Sequence, residues 1–530
     1  MKPEGFRRVY QYKLFAHLNQ KGSAMIIAPR IVALVLTIFS LTSTSPFAQT
    51  RRGGGSAQSH ARALKVLEAG IAALGGLEAI RETQVVSLEI TGFSYARNQS
   101  VSVNPPFDKM TREENLYIDL RNRRFIVETR DPLPGGFVFG GKQVITGNQG
   151  FFVNPRDKTI APLNLTNFNS IGIVRRVPHL FLLSAYENAP ASLRWHGQEI
   201  YAGRLHNVIT FASSNGIQWT LFFDGRTNLL SKYEQMVSDN VRGDSVQETI
   251  FPAYRTVGEL KVPTGRVTRR AGELSEEVKY NNVQFNTRPT ESAFAKPDGF
   301  DELPLPTPPP TRETKLADGV YLFESGSNSL VVEFNDYLLV VEPYTGGRGP
   351  MPTINKAREM FPGKPIKYVV VMHHHDDHSG GLRSYIAEGI TVVTTPANQK
   401  YFETMAASNF TINRDNQTAQ KRKPVFEFVR EKKHAFTDGK QTVEIIDIGP
   451  NPHANEMLIA YLPKEKLVFQ GDLVNLPANG KYLPTTIIAT TVHFFDAIKR
   501  LGLSVDRIAA VHGPTTTLDD LRKAIEKSLR

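Results

Sequence analysis

The sequence contains no cysteine, and this absence removes several kinds of chemistry at once. Without thiols the chain can form no disulfide bond and can offer no thiolate to a metal ion or a redox partner. Any metal site must therefore be built from His, Asp and Glu side chains. The chain has 13 histidines from which such a site would have to draw.

Charge of one sign is not concentrated anywhere. The formal charge is +11, but residues 1–48 hold six basic side chains and one acidic one. Without residues 1–48 the formal charge of the chain is therefore +6. The densest basic stretch, residues 421–423, is soon followed by Glu427 and Glu431, as expected of a solvated loop or helix face. A polyanion-binding patch is the alternative interpretation of this stretch. We expect no nucleic-acid partner.

Long apolar runs are also scarce. Residues 31–41 read IVALVLTIFSL, which is too short to span a bilayer comfortably. Arg30 precedes this run and small residues up to Ala48 follow it, in the order of a secretory signal peptide. We therefore expect residues 1–48 to be a signal peptide, with the true start at Met1 or Met25, and the mature protein to be periplasmic or secreted. An uncleaved membrane anchor is the alternative.

The 530 residues predict two folded domains, of which the first covers residues 57–300. Leucine and isoleucine recur at three- and four-residue steps over Ala61–Arg81 and predict an amphipathic helix, which Gly75-Gly76 should break or bend. From residue 85 to 297 the pattern changes to short segments rich in Val, Ile, Phe, Tyr and Thr between turn residues. This pattern predicts an antiparallel β domain.

Residues 218–235 of this region read as a hairpin that turns at Asp224-Gly225. The region shows no cluster of catalytic residue types, and we assign neither His196 nor His206 to a site. Its strand pattern and N-terminal helix resemble the half-barrels of periplasmic lipoprotein-carrier proteins. That resemblance implies contact with a lipid or a membrane through this domain.

A proline-rich segment divides the chain. Residues 303–311 read LPLPTPPPT, which disfavours helix and central strand and predicts a stiff linker over 301–314. Residues 315–530 then alternate apolar strands with amphipathic helices. This alternation predicts an α/β domain in which mixed sheets are covered by helices.

The main candidate site follows the apolar strand that ends at Met372. The next residues read HHHDDHSGG, an H-x-H-x-D-H motif that begins at His373. Residues two apart in an extended strand end point the same way, so His373 and His375 can bind one ion together. Asp377 and His378, after the chain turns, can face a second ion. A surface accident or a histidine-rich metal scavenger is the alternative if the motif stands alone.

Further ligand types follow three later strands. His453 comes after VEIIDI, Asp472 after LVFQ, and His512 after IAAV. The ends of strands are where α/β proteins place their chemistry, so these side chains belong with the first motif.

In order and spacing, these residues resemble the metal-binding motifs of the metallo-β-lactamase superfamily over Leu316–Arg530. The resemblance implies an αββα sandwich preceded by the β-rich domain, a hydrolase activity and two zinc ions, with iron or manganese also compatible with the ligands. It implies one ion held by His373, His375 and His453, a second held by Asp377, His378 and His512, and Asp472 bridging both.

Some positions depart from the family pattern. Asp472 stands where true zinc β-lactamases usually have Cys or Ser, which favours hydrolases that resemble glyoxalase II, lactonases and alkylsulfatases. The residues after His453 lack the H-T-P-G stretch common in glyoxalase II and look closer to lactamase-like members. Glu342 stands where many members have Asp, and Met372 where Thr is frequent.

Two bound zinc ions would lower the pKa of a shared water from about 15.7 towards neutrality and so supply a bridging hydroxide nucleophile. Asp377 is the expected catalytic residue, which orients the hydroxide and carries a proton to the leaving group. We expect a small-molecule substrate: an ester, a lactone, a thioester or an amide. The alternatives are β-lactamase-like activity, a nuclease, and a hydrophobic-ligand-binding periplasmic protein with a vestigial zinc domain.

Overall fold

The computed structural model describes residues 55–166, 168–305, 311–324, 326–343 and 351–529. The expected signal peptide and the alternative membrane anchor, both within residues 1–48, lie outside these ranges. The residues in these ranges belong to one compact unit. None of the helices in the described ranges is both long and apolar enough to cross a membrane.

The N-terminal region opens with two helices, α1 (Ser56–Leu74) and α2 (Leu77–Glu82). Leu67 and Leu74 on the apolar face of α1 are fully buried. The helix ends at Gly75-Gly76, where both residues have a positive φ that most side chains resist. The prediction that this pair interrupts the helix is confirmed.

One large sheet follows, and its 14 strands are antiparallel except for the parallel pair of β16 with β6. Their order across the sheet is β16-β6-β5-β4-β3-β2-β1-β15-β14-β11-β10-β9-β8-β7. The strands of this region, with the separate small sheet β12-β13, are β1 (Val85–Tyr95), β2 (Lys109–Asp119), β3 (Arg124–Pro132), β4 (Val138–Thr146), β5 (Gln149–Asn154), β6 (Thr159–Pro162), β7 (Arg194–Tyr201), β8 (Arg204–Ala212), β9 (Gln218–Asp224), β10 (Leu230–Asp239), β11 (Gly243–Ile250), β12 (Tyr254–Val257), β13 (Leu260–Pro263), β14 (Gly265–Arg270), β15 (Glu273–Phe285) and β16 (Asp301–Glu302).

Helices cover one face of this sheet. Alternate residues of the strands, such as Leu116 and Ile118 of β2, pack with α1 and with α4 (Pro178–Asn188), which follows the short helix α3 (Ile171–Val174). Sequence analysis missed α4, because residues 178–183 are buried without a break and so lack the periodic polar positions that mark a helix. The hairpin predicted at Asp224-Gly225 is present as the pair β9-β10.

The C-terminal region contains two mixed sheets that pack face to face. The first has the order β17 to β23 and the second the order β24 to β29. Their strands are β17 (Arg312–Ala317), β18 (Val320–Glu324), β19 (Asn328–Glu333), β20 (Leu338–Val341), β21 (Ile366–Val370), β22 (Thr391–Thr394), β23 (Phe426–Phe428), β24 (Lys433–Thr437), β25 (Thr442–Asp447), β26 (Leu458–Leu462), β27 (Leu467–Gln470), β28 (Arg507–Ala510) and β29 (Thr516–Thr517).

The two sheets share one apolar core, in which Leu330 and Val370 of the first meet Ile445 and Phe469 of the second. Helices cover the outer faces: α5, α7 and α8 pack on the first sheet, and α10 and α11 on the second. The helices of this region are α5 (Met351–Met360), α6 (Asp376–Ser379), α7 (Leu382–Ala387), α8 (Gln399–Ala407), α9 (Asn416–Gln420), α10 (Ala489–Arg500) and α11 (Leu518–Ser528). The predicted αββα sandwich with a preceding β-rich region is confirmed.

The segment between the two regions begins as part of the first. Asp301-Glu302 forms the edge strand β16, and Arg312 begins β17 in the C-terminal sheet. Residues 306–310 of the predicted linker lie outside the described ranges. The linker and the exact domain boundaries stay predictions.

Candidate metal centre

The H-x-H-x-D-H motif lies in the loop that leaves the buried strand β21. The chain passes through His373 and His375 and then turns into the single helical turn α6, for which His375 is the N-cap residue. His373, His375 and His378 are completely buried. Asp377, whose side chain is 42% exposed, lies on the solvent side of the cluster.

The ends of three later strands bring the other predicted side chains to the same place. His453 follows β25, Asp472 follows β27 and His512 follows β28. Since the carboxyl ends of β21, β27 and β28 meet at one edge of the sandwich, residues far apart in sequence converge there.

The first group consists of His373, His375, His453 and Asp472, whose candidate ligand atoms all lie within 4.8 Å of one another. The Nε2 atoms of His373 and His453 are 3.2 Å apart, and Nε2 of His453 is 3.4 Å from Oδ2 of Asp472. All four residues are buried.

The second group consists of Asp377, His378, Asp472 and His512. Oδ2 of Asp472 lies 3.1 Å from Nε2 of His378, and Oδ2 of Asp377 lies 3.4 Å from Nε2 of His512. Asp472 belongs to both groups, as expected of a bridging carboxylate. The structure thus brings all seven sequence-predicted side chains together; their binding of metal stays a prediction.

The electrostatics of the two groups differ. Burial lowers the pKa of His373 and of His375 well below the usual range, and neighbouring imidazoles lower both further, so these rings are neutral. Burial also lowers the pKa of His378, but the carboxylates of Asp472, Asp377 and Glu342 outweigh it and hold that pKa well above its usual value. The second group therefore concentrates negative charge that calls for a cation.

The donor set fits metal ions on independent grounds. Nδ1 of His375 and Nε2 of His512 are buried and have no hydrogen-bond partner among the described residues. An unsatisfied buried nitrogen is costly, and a metal ion would use its lone pair. Neutral imidazoles with a shared carboxylate are ligands that zinc, iron and manganese accept.

Comparison with protein families gives a match to the metallo-beta-lactamase superfamily over residues 322–512, a range that includes all seven side chains. Residues 322–512 form a metallo-β-lactamase superfamily domain. The predicted family is confirmed, and this domain indicates a metal-dependent hydrolase.

Several solved structures are similar to part of this chain. A metallo-beta-lactamase from Pontibacter korlensis is 22% identical with a TM-score of 0.32, and the alignment covers 41% of this chain and 98% of that one. The metallo-beta-lactamase FIM-1 from Pseudomonas aeruginosa is 22% identical with a TM-score of 0.32, and the alignment covers 42% of this chain and 99% of that one. The DIM-1 metallo-beta-lactamase is 18% identical with a TM-score of 0.31, and the alignment covers 42% of this chain and 98% of that one.

Within the metallo-β-lactamase domain, Glu342 has a role that sequence analysis did not assign. This residue is fully buried after β20, and Oε2 of its carboxylate accepts a hydrogen bond of 2.6 Å from Nδ1 of His378. Its Oε1 accepts one of 2.7 Å from the backbone N–H of Met372. Glu342 therefore fixes the orientation of His378. The sequence offered one sign of this role, because Glu342 is a carboxylate directly after the apolar strand YLLVV.

Two other histidines belong to different surroundings. His374 is buried, with its ring against His375 and Tyr401. His434 forms an ion pair with Glu427.

The N-terminal region also contacts the centre, which sequence analysis missed altogether. The backbone carbonyl of Ser100 accepts a hydrogen bond of 3.0 Å from Nε2 of His375, and the ring of Phe137 packs edge-on against that of His453 with centroids 5.2 Å apart. No local pattern in a β-rich segment signals contact with a histidine more than 270 residues away.

Proposed function

We propose that this chain is an exported dinuclear zinc hydrolase that acts on a small ester, lactone, thioester or amide. The observation that carries the proposal is the convergence of seven His and Asp side chains into two groups that share Asp472. Zinc accepts His and carboxylate ligands, and a shared carboxylate suits two neighbouring ions. Iron and manganese are the alternatives that metal analysis distinguishes.

When bound, two such ions supply Lewis acidity and a nucleophilic water at neutral pH. The side chains of the centre hold and orient the reacting groups. Oδ2 of Asp377 lies 3.6 Å from Nε2 of His378 and 3.4 Å from Nε2 of His512, on the exposed side of the centre where a substrate can enter. From this position Asp377 can orient the nucleophile and pass a proton to the leaving group.

The first experiment combines metal analysis with substrate screening. Protein from about Gln49 onward would be analysed for bound metal by mass spectrometry, and hydrolysis of ester, lactone, thioester, amide, β-lactam and phosphodiester substrates would be measured with and without a chelator. Two ions per chain and chelator-sensitive ester, lactone, thioester or amide hydrolysis would support the proposal. Cleavage of only β-lactam or phosphodiester would favour the lactamase or nuclease alternative.

The role of Asp377 can be tested directly. Asp377→Ala should lower kcat by about 10²–10⁴-fold, the usual contribution of a positioned acid or base, and leave the thermal unfolding temperature close to that of the wild type. The matched control is Asp519→Ala on α11, since surface ion pairs such as that of Asp519 with Arg522 contribute little. Normal turnover by the Asp377 variant would contradict the mechanism.

Export is supported by the apolar run over residues 31–41, with Arg30 before it and small residues after it. Cell fractionation with N-terminal sequencing of the mature chain tests this part of the proposal. Retention of the whole chain in the cytoplasm would contradict it.

A second candidate function is binding of a hydrophobic ligand by the N-terminal region, and one observation favours it. A cavity of about 710 Å³ is lined by apolar side chains that include Val138, Phe139 and Ile488 and, at the same site, by charged ones such as Glu128 and Lys142. Phe139 is 49% exposed although it is a large apolar side chain. The test is binding of a fluorescent fatty-acid analogue to the wild type and to Phe139→Asp. Tight binding that the substitution abolishes would favour this function over the hydrolase, provided that the protein also holds no metal and shows no turnover.

A further inference from the structure

A short segment of the N-terminal region, Arg97–Val101, runs along the metal centre. The backbone carbonyl of Asn98 accepts a hydrogen bond of 3.2 Å from the N–H of Asp376. The carbonyl of Val101 accepts one of 2.9 Å from the N–H of Asn455. The segment therefore bridges the two loops that carry His375 and His453.

Gln99, in the middle of this segment, holds the exposed carboxylate of the centre. Its Nε2 donates hydrogen bonds of 2.7 Å to Oδ1 of Asp377 and 2.8 Å to Oδ1 of Asp376. One oxygen of Asp377 is thus taken by the amide, which leaves Oδ2 directed towards His378 and His512. A carboxylate fixed at one oxygen loses less rotational freedom when its other oxygen engages a metal ion or a proton.

The neighbouring Ser100 determines which nitrogen of His375 faces the first group. Because the Ser100 carbonyl can only accept, the hydrogen bond places the proton of His375 on Nε2. The other nitrogen, Nδ1, then carries the free lone pair, and it is the buried atom without a partner among the described residues. The N-terminal region thereby selects the tautomer that can bind a metal ion.

The segment is itself held firmly. The carboxylate of Asp108 accepts hydrogen bonds from the Ser100 hydroxyl at 2.5 Å and from the Val101 N–H at 2.7 Å. Arg97 is buried in ion pairs with Asp239 at 3.3 Å and Glu273 at 2.8 Å. Such contacts keep Gln99 and the Ser100 carbonyl in place independently of the metal loops.

We propose that Arg97–Val101 is a positioning segment of the metal centre and that Gln99 is the positioning residue for Asp377. This inference rests on the proposed dinuclear site. The N-terminal region then belongs to the working enzyme: the metallo-β-lactamase domain contributes the ligands, and the β region fixes the geometry of one ligand in each group.

The test compares Gln99→Ala with Gln218→Ala, an exposed glutamine on β9 of the same region. Zinc affinity is measured for each ion by competition with a chromophoric chelator on the full chain, and kcat and KM are measured separately. Removing an outer contact to a ligand usually costs 10–100-fold in metal affinity or activity. In Gln99→Ala we expect a loss of this size in the affinity for the second ion and in kcat. KM and the affinity for the first ion should be nearly unchanged. Gln218→Ala should change none of these values.

Gln99→Met, which keeps the side-chain volume but removes the donor, should reproduce the result if Gln99→Ala disturbs folding. If the wild type binds two ions and both Gln99 variants bind the second ion as tightly as the wild type does, this inference is overturned and the proposed function stands. A wild type that does not bind two ions would overturn both.

Discussion

The buried hydrogen bond between Glu342 and His378 leads to a quantitative prediction for Glu342→Gln. In the wild type both oxygens accept: Oε2 from Nδ1 of His378 at 2.6 Å, and Oε1 from the N–H of Met372 at 2.7 Å. An amide has only one acceptor, so the variant cannot satisfy both donors. Either choice disturbs the centre.

If the amide oxygen faces Met372, the NH₂ group faces Nδ1 of His378 and forces the proton of that ring onto Nε2. This is the nitrogen that lies 3.1 Å from Oδ2 of Asp472 in the second group, so a metal ion there would have to displace the proton. If the amide turns round, its NH₂ opposes the N–H of Met372, which costs roughly 1–3 kcal/mol for an unsatisfied buried group. Both routes predict a loss of about 10–100-fold in affinity for the second ion.

The assay is chelator competition with zinc, combined with turnover at saturating metal. Glu333→Gln is the matched control, because Glu333 ends the neighbouring strand β19 and pairs with Lys364 away from the centre. Affinity of the second ion equal to that of the control would refute the argument that Glu342 fixes the tautomer of His378.

Two further predictions concern other parts of the chain. Burial raises the pKa of Glu114, but the attraction of Arg266 and two further arginines outweighs it and lowers that pKa from 4.5 to about 2. This difference corresponds to roughly 3 kcal/mol of stability that is present above pH 4.5 and lost as the pH falls towards 2. Urea unfolding should show this loss in the wild type and not in Glu114→Gln; equal pH dependence would contradict it. At Gly135, whose φ is +90°, an added Cβ would lie 2.5 Å from Oγ1 of Thr490 and 3.3 Å from Cα and Cβ of His453, which belongs to the first group. Gly135→Ala should therefore lower the unfolding temperature and the affinity for the first ion, whereas Gly172→Ala, with open space around it, should change neither.

Much of the metallo-β-lactamase domain can be predicted from local patterns. Strands such as β20, whose residues LLVV are all buried, show in the sequence as continuous apolar runs. The positions of His373 and His512 directly after such runs indicate which edge of the sheets carries the chemistry. The break at Gly75-Gly76 is also local, since only the backbone conformation of two residues is involved.

The tertiary structure decided what lies around those ligands. The order of the 14 strands depends on pairings between distant segments, such as β1 with β15, that no window of sequence contains. The contact of Ser100 with His375 joins residues 275 positions apart, and its chemistry is a backbone carbonyl that every residue type possesses. A sequence therefore shows side chains that can bind metal, because their chemistry is specific to them. The backbone groups and neutral side chains that orient these ligands act only through where folding places them.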